Sequence, residues 1–591
     1  MIRILVIFLI FFNMSIFAQF AFLYSSSGAE YGKANCVDNN NNYIEAALFQ
    51  NSINVNPNGN FTLTSRGMID VALVKYDNKG NLVWGKRFGG TNTTDAPHGV
   101  ATDSLGNIYV VGYFGNPNLA NVAVDFNPNG GNNINTKSGF DAFLAKYDKD
   151  GNYVWALGLG NTLGNTEERC WDIYTDKDGN SYICGGMEGS IDFNPLGTPN
   201  IKSVTGEVGL FYAKYDKNGI NIWANVISAN DTSVFYEAYT AIDVNENGDV
   251  YIGGNFRGTN VSISNDGNFL LSSNGQTDMF IAKINNQGKI IWAKRIGGTN
   301  QDILSPGALR LDNNGYPYIT GRISGMVNFN TSGGTNTINS SLFLASYDTS
   351  GILRTTYGMT SNPGDGGHRI DFDSKNNIYL AGWINGTVDF DPTSSVHNVT
   401  AVSPTADAFI AKYSSSGNLL WINNIGATNS TSNNIAAGLV VDLEDNSYIT
   451  GQLFGTNSDF DPSPDNQLIF SSSGLNDCFI IKNDSTGNLW LLNTSLTREA
   501  QLITDSFQLN QNYPNPFNPN TNISITIPKS CFVTLKVYDI LGKEITTLIN
   551  EELSAGDYTK TFNATNLSSG VYFYKLQTSK FSETKKMILM R

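Results

Sequence analysis

One cassette recurs along most of this chain, and that repetition constrains the fold before any single residue does. It reads LVKYDNKGNLVW (Leu73 to Trp84), LAKYDKDGNYVW (Leu144 to Trp155) and YAKYDKNGINIW (Tyr212 to Trp223). IAKINNQGKIIW (Ile281 to Trp292) and IAKYSSSGNLLW (Ile410 to Trp421) follow. Two copies have drifted: LASYDTSGILRT (Leu344 to Thr355) lacks the Trp, and IIKNDSTGNLWL (Ile480 to Leu491) moves it to Trp490. The glycines of the copies, from Gly80 to Gly487, set a period of roughly 63 to 71 residues. That is longer than the roughly 40 to 50 of WD40 and kelch blades. A unit too small to bury its own apolar face must stack on its neighbours.

Between cassettes lies a second recurring segment: TDSLGNIYVVG (Thr102 to Gly112), TDKDGNSYICG (Thr175 to Gly185), LDNNGYPYITG (Leu311 to Gly321), FDSKNNIYLAG (Phe372 to Gly382) and VDLEDNSYITG (Val441 to Gly451). Each repeat thus carries two D-x-x-G-N turn signals, in which the Asp caps its own turn and the Gly supplies positive φ. The β-branched and aromatic flanks alternate in polarity, as hairpins do. Two hairpins per repeat predict a four-stranded sheet, and such sheets in sequence are best closed into a ring. The expected fold is all-β, a seven-bladed β-propeller over residues 19–495. The recurring Tyr (Tyr109, Tyr182, Tyr251, Tyr318, Tyr379, Tyr448) and the cassette Trp are expected to pack blade on blade. No segment beyond the first twenty residues sustains a helical apolar period. The K-Y-D-x-x-G-N-x-x-W and D-x-x-G-N-x-Y-x-x-G pair resembles the bacterial SBBP beta-propeller repeat family. The resemblance implies a secreted or surface-attached protein and brings no catalytic signature.

The two ends read differently. Arg3 followed by the apolar run Ile4 to Phe12 predicts an export leader over residues 1–18, cut between Ala18 and Gln19. No Cys follows that point, which argues against a lipoprotein anchor, and no other segment is apolar enough for a membrane helix. After a linker at 496–506 the composition changes. YPNPFNP (Tyr513 to Pro519) reads as an extended linker or a sheet edge. Alternating strands then follow, from ISITIP (Ile523 to Pro528) to GVYFYKLQT (Gly570 to Thr578), and predict a small Ig-like antiparallel sandwich over 507–591. The order YPNPFNP, VYDILGKEI, LSSGVYFYKLQT and the basic KKMILMR resembles the C-terminal sorting domain of the type nine (Por) secretion system. That resemblance implies the outer-membrane secretion and sorting machinery as partner, then removal of the domain and release or attachment to the cell surface.

Formal net charge is −15, from 37 Lys and Arg against 52 Asp and Glu. An acidic surface lacks the phosphate-neutralising patch that nucleic acid needs. Abundant Asn, Ser, Thr and Gly suit hydrogen bonding to carbohydrate, and equally suit ordinary β-loops. The five Cys follow no zinc spacing, and Cys170 with Cys184 on one predicted hairpin leave open either a disulfide or a pair of small buried residues. His98 and His368 sit at matching places, just before the first strands of the second and sixth repeats, and Trp171 occupies that place in the third. These three are candidate ligand-binding residues at one mouth of the ring, set against ordinary variable loop positions. DFNP or DFDP recurs at Asp125, Asp192, Asp389 and Asp459. Asp389 with Asp391 and Asp459 with Asp461 are candidate calcium oxygens, although Asn-Pro and Asp-Pro also initiate turns. No G-x-S-x-G, H-E-x-x-H or phosphate loop occurs. The reading is a non-enzymatic exported binding or adhesion module for glycan or a surface protein, without a cofactor unless calcium. The alternatives are a secreted polysaccharide hydrolase or lyase, using acidic residues at the mouth, and a structural surface-layer component.

Overall fold

In the computed structural model of the chain the described residues are 18–492 and 507–590, apart from 132, 138, 162–165, 205–207, 229–238, 265–266, 360, 428–432, 462–467, 490, 510, 513, 528–530, 554–555 and 579–580. The leader expected over 1–18, except Ala18, the linker at 496–506 and the displaced Trp490 lie outside the described residues. The chain divides into two compact units, Gln19–Leu492 and a unit containing Asn493–Arg591. Among the described residues there is no helix.

The turns form as the D-x-x-G-N chemistry requires. Asp77 Oδ1 accepts the amides of Lys79 and Asn81 at 2.9 and 2.8 Å, and its Oδ2 accepts the Asn81 side chain at 2.9 Å. The same three bonds recur at Asp103, Asp148, Asp176 and Asp373. Gly80, at φ +83°, sits in the left-handed region where a side chain is costly. These turns join strands into antiparallel sheets of four, for example Ala96–Thr102, Ile108–Gly115, Phe140–Tyr147 and Tyr153–Leu159. In each sheet an accessory hairpin lies between the second and third strands, such as Ser190–Asp192 with Ile201–Ser203, and in four of them the DFNP or DFDP segment begins its turn.

The first strands lie innermost. Tyr31–Val37, Ala96–Thr102, Arg169–Thr175, Thr240–Val244, Ile303–Leu311, Gly366–Phe372 and Ile435–Val441 touch in that order, and the last returns to the first. The closing sheet is completed from the other end of the unit. Ala21–Tyr24 pairs with Asp477–Asn483, which pairs with Ser447–Leu453 and through it with Ile435–Val441. The short strand near the start of the unit is therefore the outer strand of the last sheet, and the final repeat does not supply its own.

One seam chemistry repeats between neighbouring sheets. The cassette Trp indole donates to a carbonyl in the next cassette turn: Trp84 to Lys149, Trp155 to Lys217, Trp223 to Asn286, Trp292 to Thr349 and Trp421 to Ser485, all at 3.1 to 3.3 Å. The drifted fifth copy keeps the bond with another residue, since Tyr357 Oη donates to Ser416 O at 3.1 Å. The cassette Lys adds a second bridge. Lys75 pairs with Asp38 at 2.8 Å inside its own sheet and donates to Lys149 O at 3.2 Å in the next. Lys482 does the same across the closing seam, pairing with Asp442 at 3.4 Å and donating to Asn78 O at 3.2 Å.

The glycine ending D-x-x-G-N-x-Y-x-x-G answers a different demand. A Cβ at Gly112, Gly185, Gly321, Gly382 or Gly451 would sit 1.9 to 2.1 Å from the carbonyl oxygen of an inner-strand residue. The first sheet has Ala47 in that register. Gly382→Ala, whose Cβ would meet Gly366 O at 2.1 Å, should cost about 1–3 kcal/mol through forced backbone movement. An unchanged urea midpoint would contradict so close an approach.

Burial raises several carboxylates inside the unit. Glu45 and Glu168 reach about 8, Glu30 and Asp95 about 7, and Asp302, Asp365 and Asp477 about 6. Unfolded, these groups titrate near pH 4. From about pH 4 to 8 the folded protein therefore binds more protons than the unfolded chain, and stability falls as pH rises. Melting at pH 5 should exceed melting at pH 8; the reverse order would contradict these burials.

The C-terminal unit holds a sheet of Gln508–Leu509, Asn520–Ile527 and Gly556–Asn563 and another of Glu544–Leu553, Cys531–Tyr538, Gly570–Gln577 and Ser582–Leu589. One core containing Ile523, Ile525, Leu535, Val537, Tyr574 and Leu576 joins them. The Pro-dense stretch is a sheet edge: Phe517 N donates to Ile588 O, and Met590 N to Phe517 O, both at 3.0 Å. The basic end is itself a strand, with Met587 and Leu589 buried.

Candidate functional site

Strand pairing skips a residue on most of the inner strands, always near the same end. Pairing runs Gly32 then Ala34, Pro97 then Gly99, Cys170 then Asp172, Gly367 then Arg369, and Ala436 then Gly438. On Ile303–Leu311 it skips Ser305 to Ala308. A bulged residue leaves the ladder and its side chain is re-aimed. The residues so released are Lys33, His98, Trp171, Ser305 to Ala308, His368 and Ala437. In five sheets the motif glycine stands beside this bulge, where the absence of a Cβ lets the inner strand lean across.

The bulges surround one mouth of the central channel. A cavity of about 470 Å³ is lined by Lys33, His98, Trp171, Pro306, His368 and Ala437, together with Tyr113, Arg169, Tyr239, Arg322, Arg369 and Trp383. The structure thus brings His98, Trp171 and His368 into one cavity, within their strands rather than ahead of them. Lys33, Tyr113, Tyr239, Trp383 and the arginines carry no motif and escaped sequence reasoning. Lys33 could have been found by aligning each repeat on the residue skipped by its bulge.

The lining is aromatic and cationic. The His98 and Trp171 rings stack 4.1 Å apart at 7°, and Tyr239 meets Trp171 edge-on at 4.8 Å. Trp383 lies edge-on to His368 at 6.1 Å. Arg169 covers the Tyr113 ring at 4.8 Å and pairs with Glu167 at 2.7 Å. Burial, reinforced by nearby cations, drives both histidines well below their ordinary pKa, so both are neutral. His98 Nδ1 lies 3.1 Å from Cys170 O; a carbonyl only accepts, so Nδ1 carries the hydrogen and Nε2 is left as an acceptor. Lys33 is lowered to about 8 by burial and by Arg169. Trp171 Nε1, in a side chain 8% exposed, and Arg169 Nε are buried donors without an acceptor. Such groups cost free energy until something accepts from them.

Arg369 forms the floor. Its guanidinium donates to Ala437 O at 3.0 Å, to His98 O at 3.3 Å and to Pro306 O, tying three inner strands together. Below it Arg310 lies 3.9 Å from Asp243 and 3.8 Å from Asp371. The opposite mouth is a cavity of about 580 Å³ with Asp243, Glu246, Asp312 and Asp371 among its lining. Acidic residues therefore gather at the mouth away from His98 and Trp171.

The DFNP-type aspartates bond their own loops. Asp389 Oδ1 accepts from Asp391 N and His397 N at 3.1 and 2.8 Å, and Asp459 Oδ1 from Asp461 N and Leu468 N at 3.1 and 2.9 Å. Asp391 Oδ1 accepts from Thr393 N at 2.9 Å. No group of three or more His, Cys, Asp or Glu converges as a metal site among the described residues. Cys170 and Cys184 are free and buried, with Cys170 Sγ 3.3 Å from Cys184 O.

Comparison with known proteins adds identity at both ends of this description. Residues 511–590 match the secretion system C-terminal sorting domain, and residues 83–113 match the beta-propeller repeat called SBBP. The chain is 24% identical over 502 residues to the uncharacterized WD repeat-containing protein L264 of Acanthamoeba polyphaga mimivirus, covering 72% of this chain and 35% of that one. It thus spans about a third of that relative's length. Among solved structures it is similar to a protein of unknown function from Bacteroides caccae (12% identity, 60% of this chain and 90% of that one, TM-score 0.30). It is also similar to PorZ, a surface component of the type-IX secretion system of Porphyromonas gingivalis (10% identity, 97% and 100%, TM-score 0.18). These likenesses are too distant to carry an argument about function. The chain carries an SBBP beta-propeller repeat and a Por-type sorting domain, which marks it for export by the type IX route, to the outer cell surface or beyond it.

Proposed function

We propose that residues 19–495 form a closed seven-bladed propeller acting as an extracellular binding module for glycan, with its ligand at the His98–Trp171 mouth. Residues 1–18 are then a leader removed before Gln19, and 507–591 an Ig-like sorting domain lost from the mature protein. The observation that carries the reading is the contrast between frame and bulge. The turns and seams repeat nearly unchanged, while the residue released at the bulge is Lys, His, Trp, His or Ala from sheet to sheet. A scaffold needs the first and has no use for the second. Rings and convergent polar groups in one concave site are what small-ligand pockets present, and about 470 Å³ lies within their usual range. The cyclic contact of the inner strands and the returning strand Ala21–Tyr24 support the count of blades.

The test is a polysaccharide panel probed with the secreted protein, with reducing and unsaturated ends assayed in parallel. Binding without product is expected. Product would make the protein an enzyme, and silence across the panel would remove glycan binding.

A further inference from the structure

The lining of the mouth also says what kind of glycan fits, an inference that rests on the binding reading above. The chain carries a net charge of −15, yet the cavity lining contains Lys33, Arg169, Arg322 and Arg369 and, among the described residues, no carboxylate. Among the described residues Lys33, Arg322 and Arg369 form no ion pair, and Arg169 has one, to Glu167 on the outside. Asp172 offsets part of the Arg369 charge, but Lys33 beside Arg169 in a partly enclosed site is disfavoured as a cation, and an anionic ligand relieves that cost. The protein spends its abundant acidic residues elsewhere, including at the opposite mouth.

Much of the unmet hydrogen-bonding capacity there also suits an acceptor-rich ligand, while His368 Nδ1, likewise without a partner, is free to meet a sugar hydroxyl. Trp171 Nε1 and Arg169 Nε are both donors, buried without an acceptor. A ligand rich in acceptors satisfies them, and a carboxylate or sulfate offers several acceptor sites at once. Beside these donors stand the rings of Tyr113 and Tyr239, and the same cavity holds Trp383 next to His368; the apolar face of a sugar can lie on such rings. Arg369, fixed by three backbone carbonyls, closes the channel beneath, so the ligand enters from the mouth and does not thread the ring.

We propose that this mouth binds an anionic sugar, its ring against the aromatic side chains and its carboxylate or sulfate among Lys33, Arg169 and Arg322.

The full chain is titrated by calorimetry with oligogalacturonate, with a sulfated oligosaccharide of heparin type, with neutral cello- and xylo-oligosaccharides, and with polyglutamate. The Lys33→Met/Arg322→Gln double variant is run beside it, chosen because neither side chain is fully buried or ion-paired. Expected are binding of one or both acidic sugars, at least tenfold weaker binding of neutral ones and of polyglutamate, and at least tenfold loss in the variant with an unchanged melting temperature. Whether carboxylate or sulfate binds better separates the two sources of charge. Neutral sugars binding as tightly as acidic ones, or a variant that binds unchanged, would overturn the anionic preference and leave the glycan reading standing. Polyglutamate binding as tightly as the acidic sugars would overturn the sugar assignment. Failure of every sugar would overturn both readings.

Discussion

Phe20→Ala will destabilise the N-terminal unit by about 3–5 kcal/mol, the range for emptying a large buried aromatic site. Phe20 is 1% exposed and contacts the rings of Phe22, Tyr43, Tyr76 and Tyr448 at 5.3 to 6.2 Å. It also lies where a seam tryptophan lies elsewhere. A Cβ on Gly151 would meet Trp84, one on Gly219 Trp155, one on Gly351 Trp292 and one on Gly487 Trp421; at Gly80 it would meet Phe20, 2.9 Å away. Phe20 thus stands in for the Trp that the last repeat displaced, at the junction between the last sheet and the first. Its carbonyl also accepts from Lys482 N at 2.9 Å. Guanidinium unfolding gives the measurement. A cost below about 1 kcal/mol would mean that the ring does not depend on this seam.

The second large effect separates two aspartates that look alike in sequence. Asp148 and Asp442 each open a repeated turn and each accept the amides two and four residues on. Asp148 lies in an exposed cassette turn, and Asp148→Ala should cost about 1–2 kcal/mol in lost charge-assisted hydrogen bonds. Asp442 in addition faces Lys482, and both side chains are at most 1% exposed. Asp442→Ala removes the carboxylate facing that buried ammonium, which typically costs about 3–5 kcal/mol. Equal losses in the two variants would show that the buried pair contributes nothing beyond the turn.

Much of this architecture was legible because it is periodic. Asp, Gly and Asn at fixed spacing name a turn, and the turns name the strands between them. The export domain was legible for the same reason, as an ordered series of motifs. Substitution by a different residue at a different place was not legible. Tyr357 replaces a missing Trp from two positions along its strand, and Phe20 does so from the far end of the unit. Each is visible only once the sheets are stacked. At the mouth, His98, Trp171 and His368 drew notice by being rare residue types in matching places. Lys33 and Arg322 are ordinary surface residues by sequence, and their meaning comes from standing together where no carboxylate balances them. The aspartates of the DFNP-type loops drew notice by repetition, and Asp389 and Asp459 each accept amides of their own loops.

The central claim is that one mouth of the ring, the cationic and aromatic one, is where a ligand binds. Hydroxyl-radical footprinting with and without oligogalacturonate or the heparin-type oligosaccharide, whichever binds, tests it residue by residue. The account predicts protection of Trp171, Tyr239 and Trp383, with Tyr174 at the acidic mouth unchanged. Protection of Tyr174 with Trp171 and Trp383 unaltered would place the site at the other end and contradict it.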